Sequence, residues 1–386
     1  MQKVSSQQGL KYINEQKVLS TIYHQGPISR VEIAEKTSLT QQSVTNIVNR
    51  LMDSQLVREG KPLAGAKGRN PIPLTIPLEK LCAIGLEVAV KYVSGKLMDF
   101  RGLSLAETRI DVKRFEQSEE TLECIKNVIK ALMKHITNSF FLKGIGISAH
   151  ALVDSENGII IKSPGLSMNR YPLVERLKEE FDYPIYVEND VNLLALIENY
   201  KGRLVHSKNN IVLKIDYGIG GSITFNKQLF VGSTHVAGEF GHIKSFFGEE
   251  LFSCSCGAKG CLTTLASELG LIQNKGLTLE EFVLALKRDD EEAITLLNQI
   301  IHAFGVALSN VVTFTNPDQI LLTGRVVEKL GDRIVSPIYD FVKESVPESC
   351  RNVTISYMKE PLEEPSLAVD LVINKFFNVP LEILSL

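Results

Sequence analysis

Cysteine is scarce in this chain, with six among 386 residues. Nothing in the sequence suggests the oxidising compartment in which a disulfide framework forms. The opening stretch, MQKVSSQQGL, lacks an apolar core and does not read as a signal peptide. Only one long run is free of charge, residues 293–317. It carries Asn298, Gln299, His302, Ser309 and Asn310, which predicts a buried helix followed by a loop and not a membrane span. We therefore expect a cytoplasmic protein with no membrane partner. A hydrophobic content of 44%, a charged content of 23% and 27 glycines exclude a disordered or fibrous chain, and the length suffices for two or three domains.

Three of the six cysteines fall in one loop, residues 238–261, GEFGHIKSFFGEELFSCSCGAKGC. The spacing His242-x11-Cys254-x-Cys256-x4-Cys261 presents one imidazole and three thiols. That is the ligand set of a closed tetrahedral zinc site, and we expect one structural Zn²⁺. Gly257 and Gly260 lie between the ligands, where the backbone must turn sharply. The alternative is a disulfide pair with a stray thiol, but Cys254 and Cys256 are too close for easy bridging.

The net charge of −3 hides an asymmetry. Residues 1–80 hold eleven lysines and arginines against six acids, so the remainder is acidic. A basic front end suits a polyanionic partner. Residues 14–23 read as a helix with Val18, Leu19 and Ile22 on its apolar stripe. Ser29 and Glu32 form a capping box for the next helix, with Ile28 and Ile33 placed as its hydrophobic staple. Thr40 caps a third helix, whose apolar face is Val44, Ile47, Val48 and Leu51. Its opposite face shows Gln41, Gln42, Thr45, Asn46, Asn49 and Arg50, side chains able to meet base edges and phosphates. Two short strands, residues 56–58 and 72–76, flank the basic loop Gly65-Ala66-Lys67-Gly68-Arg69. Helix, turn, reading helix and basic wing predict a winged helix-turn-helix over residues 1–80, with Gln41, Gln42, Thr45 and Asn46 on bases. Arg50, Lys67 and Arg69 are assigned to phosphates or the minor groove.

From residue 81 the pattern becomes alternating α/β. Strands are expected over 83–90, 92–100, 104–112, 143–150 and 184–188, with helices over 119–137, 171–181 and 191–200. A second round starts with strands at 211–216, 221–226 and 229–231 and includes a strand at 319–322. Two successive βββαβα-like halves predict a two-lobed body over 81–386 with a cleft between the lobes.

Three segments then carry a resemblance: Val187-Glu188-Asn189-Asp190-Val191-Asn192, Gly238-Glu239-Phe240-Gly241-His242 and Cys254-Ser255-Cys256-Gly257-Ala258-Lys259-Gly260-Cys261-Leu262. In order and spacing they resemble the ROK family, which combines sugar kinases and sugar-responsive repressors on an actin-like, ribonuclease-H-like fold. The winged helix resembles that of the repressor branch, with its xylose and N-acetylglucosamine repressors. The resemblance implies that Asn189, Asp190 and Glu239 contact a sugar, and that His242 touches it while binding zinc. It also implies that Asp190 matches the general base of the kinases.

The chain departs from the kinase pattern where phosphates would be cradled. Glu87-Val88-Ala89-Val90-Lys91 stands for Asp-x-Gly-Gly-Thr, Asp216-Tyr217-Gly218 for Gly-Thr-Gly, and Thr323-Gly324 for Gly-Gly. The sugar side departs at Thr263, His150-Ala151 and Gly165. The resulting expectation is no catalytic residue, and a repressor that binds operator DNA as a homodimer or dimer of dimers and answers to a monosaccharide. A sugar kinase with an accessory DNA arm is the alternative, and a regulator bound by a protein partner the third reading.

Overall fold

The computed structural model describes residues 6–61, 72–248 and 251–378. The chain opens with three helices, α1 (Ser6–Gln25), α2 (Arg30–Thr37) and α3 (Gln41–Asp53), followed by the antiparallel pair β1 (Arg58–Glu59) and β2 (Leu74–Thr75). The caps fall where the sequence puts them. Ser29 and Glu32 close the capping box of α2, and the Thr40 hydroxyl accepts from Ser43 N at the start of α3. Val44, Ile47, Val48 and Leu51 are buried, which turns the polar face of α3 outward.

The first lobe contains β3 (Leu81–Ala89), β4 (Tyr92–Asp99), β5 (Ser104–Asp111), α4 (Ser118–Met133) and β6 (Phe141–Ala149). A small sheet of β7 (Leu152–Asp154), β8 (Ile159–Ser163) and β9 (Met168–Tyr171) follows, then α5 (Leu173–Lys178), β10 (Ile185–Asn189) and α6 (Asp190–Lys201). The main sheet runs β10-β6-β3-β4-β5, with β3, β6 and β10 parallel and β4 and β5 antiparallel. The small sheet was not expected. The helix expected over 171–181 is shortened because Tyr171 precedes Pro172, and a residue before proline favours extended backbone.

The second lobe repeats the plan. It comprises β11 (Asn210–Ile215), β12 (Ile219–Phe225), β13 (Gln228–Leu229), α7 (Thr263–Ala266), α8 (Glu268–Lys275), α9 (Leu279–Lys287) and α10 (Glu291–Thr315). After these come β14 (Gln319–Thr323), α11 (Arg325–Leu330), α12 (Asp332–Ser345) and β15 (Thr354–Tyr357), in a sheet ordered β13-β12-β11-β14-β15. This is the two-lobed α/β body that the pattern of elements predicts. Among the described residues, α10 alone is long and apolar enough to cross a membrane by length and composition, and half of its apolar window is buried against this lobe.

The last helix, α13 (Glu364–Phe377), returns to the first lobe. It lies flat on β3 and β6 because Gly85 and Gly146 present no side chain. A Cβ would stand 1.9 Å from Pro365 O at the first and 2.0 Å from Ala368 O at the second. The far end of α13 enters the core of the winged helix. Val369, Val372, Ile373 and Phe377 share one buried cluster with Val18, Leu19 and Ile22 of α1, and with Leu81, Ala83 and Phe100 of the body. Phe377 stacks on Tyr23 at 3.9 Å between ring centroids.

Candidate functional site

Between the lobes lies a cleft of about 630 Å³. Its centre is Lys214, the one charged side chain in the apolar strand β11. The Lys214 ammonium lies 2.6 Å from Glu364 Oε1, 2.9 Å from Asp190 Oδ2 and 3.7 Å from Asp216 Oδ2. Glu364 opens α13, where a carboxylate is favoured by the helix dipole, and Ser148 donates to it at 2.7 Å. His150 Nε2 is 3.0 Å from Glu364 Oε1 and 3.6 Å from Glu87 Oε1. Tyr92 closes the group by donating to Glu87 at 2.5 Å.

The charges in this cluster answer one another. Burial disfavours the Lys214 ammonium, yet Asp190, Glu364 and Asp216 hold its pKa well above the ordinary value. Burial pushes Glu364 up, and the His150 hydrogen bond and Lys214 charge reverse this, keeping it well below the usual carboxylate range. For Glu87 the balance falls the other way: burial and the charge of Glu364 push it up, only partly offset by the Tyr92 hydrogen bond and by His150 and Lys214. Glu87, His150 and Glu364 bring ligand atoms within 4.8 Å of one another, but Lys214 already supplies the positive charge a metal would.

Burial also opposes charge on His150, but Asp190 and the Glu364 hydrogen bond outweigh it and raise its pKa to about 9. A folded value above the ordinary 6.5 stabilises fully below about pH 6.5, and that stabilisation is lost as pH rises through 9. The melting midpoint is therefore expected to fall across this window. The His150→Gln variant should lose that part of the slope; a parallel profile in the variant would assign the slope to other groups.

Asp190 is the only one of the four sugar-assigned residues that lines this cavity. Asn189 caps α6: its Oδ1 accepts from Val191 N and Asn192 N, both at 3.0 Å. Its Nδ2 donates to Ala151 O and to Asp190 Oδ1, again at 3.0 Å. Both lone pairs and both N–H groups are thereby used, so in this conformation Asn189 orients Asp190 and offers nothing free to a ligand. Glu239 and His242 stand together on the loop after β13, with Glu239 Oε2 3.5 Å from His242 Nε2. Burial raises the pKa of Glu239, and His242 partly offsets it.

The other imidazole nitrogen belongs to a second cluster. His242, Cys254, Cys256 and Cys261 bring four ligand atoms within 4.8 Å of one another. His242 Nδ1 lies 3.5 Å from Cys254 Sγ, and Cys256 Sγ 3.7 Å from Cys261 Sγ. A tetrahedral ion with Zn–S of about 2.3 Å and Zn–N of about 2.0 Å has edges of roughly 3.8 and 3.5 Å. The donor set and its spacing thus fit zinc. A turn returns Gly257 N to Cys254 O, and Gly257 and Gly260 take φ of 89° and 72°, which favour glycine. Lys244 Nζ, 2.7 Å from Cys261 Sγ, adds a cation beside the sulfurs.

On α3, Gln41, Gln42 and Asn46 are exposed and Thr45 half-buried. Gln42 Nε2 donates to Asn46 Oδ1 at 3.2 Å, which presents two amides as one unit. Arg50 is engaged elsewhere: its guanidinium meets Glu15 of α1 at 3.1 Å. Lys67 and Arg69 lie outside the described residues.

Sequence reasoning missed Lys214 and Glu364, which are 150 positions apart. The signal for Lys214 was present, as a lysine inside NIVLKI cannot be buried without a partner. Glu364 had none, since an acid at a helix start is ordinary.

Two α/β lobes of one plan, a Cys3His loop and a winged helix define a class: a two-lobed α/β body bearing a winged-helix head. The chain belongs to the ROK family, whose model matches residues 83–361, and residues 12–60 match the MarR family. Among similar curated proteins is the xylose repressor of Bacillus spizizenii, 28% identical over 331 residues, spanning 84% of this chain and 85% of that protein. The DNA-binding transcriptional dual regulator NagC of Escherichia coli is 28% identical over 346 residues, spanning 85% and 84%. A solved ROK family transcriptional regulator, described as a homologue of the E. coli MLC protein, shares the fold over 96% of this chain and 97% of its own, at TM-score 0.81 and 23% identity. A Streptomyces griseus ROK glucokinase, solved with glucose and AMPPNP, shares it over 75% of this chain at TM-score 0.61 and 20% identity.

Proposed function

We propose that this protein is a transcriptional repressor whose hold on operator DNA is set by a monosaccharide or simple derivative in the cleft. The observation that carries the reading is α13. Its first residue, Glu364, sits among the cleft charges, and its last, Phe377, stacks on the DNA-reading head roughly 20 Å away along the helix. A ligand that rearranges Asp190, Lys214 and Glu364 thus acts on one end of a rigid rod whose other end carries the head. The coupling is limited by the ligand's difference in affinity for the two states. The relatives named as xylose and N-acetylglucosamine repressors support the same assignment.

In this reading Asp190 accepts a hydrogen bond from a sugar hydroxyl, Asn189 positions it, and Glu239 with the His242 imidazole supplies the opposing contacts. Zn²⁺ held by His242, Cys254, Cys256 and Cys261 fixes the loop that bears Glu239. Chelation, or Cys261→Ser, is expected to weaken the sugar response more than tenfold and to lower the melting midpoint. Unchanged response in protein shown to be zinc-free would remove the metal from the mechanism.

Phosphoryl transfer is not part of this function. The cleft is lined by Glu87, Asp216, Thr323 and Arg325, within or beside the segments that depart from the kinases' phosphate-cradling pattern. Arg325 is itself tied to Glu268 at 3.1 Å and Glu280 at 2.6 Å. Incubation with Mg-ATP and a panel of pentoses and hexoses should release no ADP; sustained release would restore the kinase reading.

Operator half-sites are met by two copies of α3 in a homodimer, or in a dimer of dimers. The double variant Gln42→Ala/Asn46→Ala should lose about 1–3 kcal/mol of discrimination per base contacted, while keeping salt-dependent nonspecific binding. Selection of DNA from a random pool, followed by titration with monosaccharides, tests the whole proposal. Absence of a selected sequence would reject the head's role, and a selected site indifferent to every sugar would reject the effector.

A further inference from the structure

We infer that Lys244 governs how firmly the Cys3His loop keeps its metal. It lies outside the ligand set, and its ammonium balances the charge of the centre through the sulfur of Cys261. The inference rests on the zinc reading above and names the residue of this chain that controls retention of the ion.

The backbone fixes Lys244 opposite Cys261. Ser245 N donates to Gly260 O at 3.0 Å and Leu262 N to Ile243 O at 2.9 Å. Lys244 and Cys261 are thereby partners in an isolated antiparallel bridge. The two hydrogen bonds flank the pair and do not come from it, which is the register that brings facing side chains closest. The Lys244 ammonium reaches Cys261 Sγ at 2.7 Å, its one hydrogen bond among the described residues.

The three sulfurs are unequally placed. Cys256 is exposed, Cys254 half-buried and Cys261 buried. A metal-bound thiol is deprotonated, so Cys261 must carry negative charge where water does not reach it. A buried charge is costly unless it is paired. Lys244 donates to this sulfur and leaves to solvent the one that solvent can serve. Three thiolates and a neutral imidazole around Zn²⁺ leave one net negative charge, which the ammonium cancels. A charge-assisted N–H···S bond also draws electron density from the sulfur, and the thiolate is the nucleophilic form of cysteine. Lys244 therefore holds Cys261 in place as a ligand and slows its attack on electrophiles. Because the loop bears Glu239 and His242, the sugar response depends on the same lysine.

The test uses the full-length protein loaded with Zn²⁺, with a chromogenic chelator competing for the ion. Lys244→Met is expected to hold Zn²⁺ about 10- to 100-fold more weakly, the range for removing a partner outside the ligand set. Lys244→Arg keeps the cation and should stay close to the parent. With Co²⁺ as the probe, the thiolate-to-metal charge-transfer band should shift in Lys244→Met and return in Lys244→Arg, which loss of packing alone would not produce. Iodoacetamide should alkylate Cys261 faster in zinc-loaded Lys244→Met than in the parent. The difference in affinity should narrow as salt is raised, since Lys244 is exposed.

Equal zinc affinity and equal alkylation in the parent and Lys244→Met would overturn the inference while leaving the zinc site intact. An equal loss in Lys244→Met and Lys244→Arg would assign the effect to packing and overturn it as well. A purified parent protein that binds no Zn²⁺ would remove the zinc reading and the inference with it, and metal analysis of the parent tells these failures apart. Should Lys244→Met not fold, Lys244→Gln, which keeps a donor without the charge, is read in its place. Affinity equal to the parent's in that variant would reject charge balance.

Discussion

Replacing Lys214 with methionine is expected to destabilise the body by about 3–5 kcal/mol at neutral pH. The side chain is four-fifths buried, and methionine keeps much of its volume, so the cost is not a cavity. It comes from leaving Asp190, Glu364 and Asp216 facing one another across two lobes without their shared cation. The sign with pH follows. Carboxylates left unpaired in the folded state have raised pKa values, so the folded variant is helped where they are protonated and loses that help as pH rises. Its deficit relative to the parent should therefore shrink toward about pH 4–5 and be largest near neutrality. Denaturant unfolding over that range measures it. Combining Lys214→Met with Glu364→Gln should recover part of the loss, because the pair is coupled. A Lys214→Met protein as stable as its parent at pH 7 would show that the cluster is held together by other groups.

Phe377→Ala is expected to cost about 3–5 kcal/mol, the range for removing a fully buried aromatic side chain. Its second effect matters more for function. Phe377 stacks on Tyr23, and Phe100 packs edge-on against both Phe376 and Phe377. Without that side chain the head keeps its own helices but loses its seat on the body. Operator affinity should fall in the proposed dimer, whose two heads must keep the spacing of two half-sites, and the remaining binding should no longer depend on sugar. The milder variant Tyr23→Leu keeps apolar volume while removing the stack and the hydroxyl contact to Tyr200. It should retain the fold and blunt the sugar response. Full sugar-dependent release of operator DNA by Tyr23→Leu would mean the signal does not pass through this junction.

Local chemistry in the chain was legible wherever neighbours in sequence are neighbours in space. Ser29 with Glu32, and Thr40 with Ser43, close their caps within three residues. The loop from His242 to Cys261 gathers its four ligands within twenty positions. The stripe Val44, Ile47, Val48 and Leu51 says which face of α3 is inside, and so which face can read DNA. Most strands of each lobe followed from alternating segments whose type is set by period, but β15 did not. The small sheet β7-β8-β9 escaped because its three short strands carry little periodicity, and Arg170 within β9 takes a positive φ.

What the sequence determined by itself is the inventory: a winged helix with a polar reading face, two α/β halves, a Cys3His loop, and the motifs that mark the ROK family. Tertiary structure decided how those parts touch. It showed that Asn189 spends its hydrogen bonds on α6 and Asp190, that Arg50 is tied to Glu15, and that the cleft is organised by Lys214 and Glu364. It also carried α13 from the cleft charges to the core of the head. The physical reason is range. Caps, stripes and chelating loops are fixed by contacts a few residues apart. A buried ion pair between residues 214 and 364, or a helix that joins two domains, exists only once the lobes have folded onto one another.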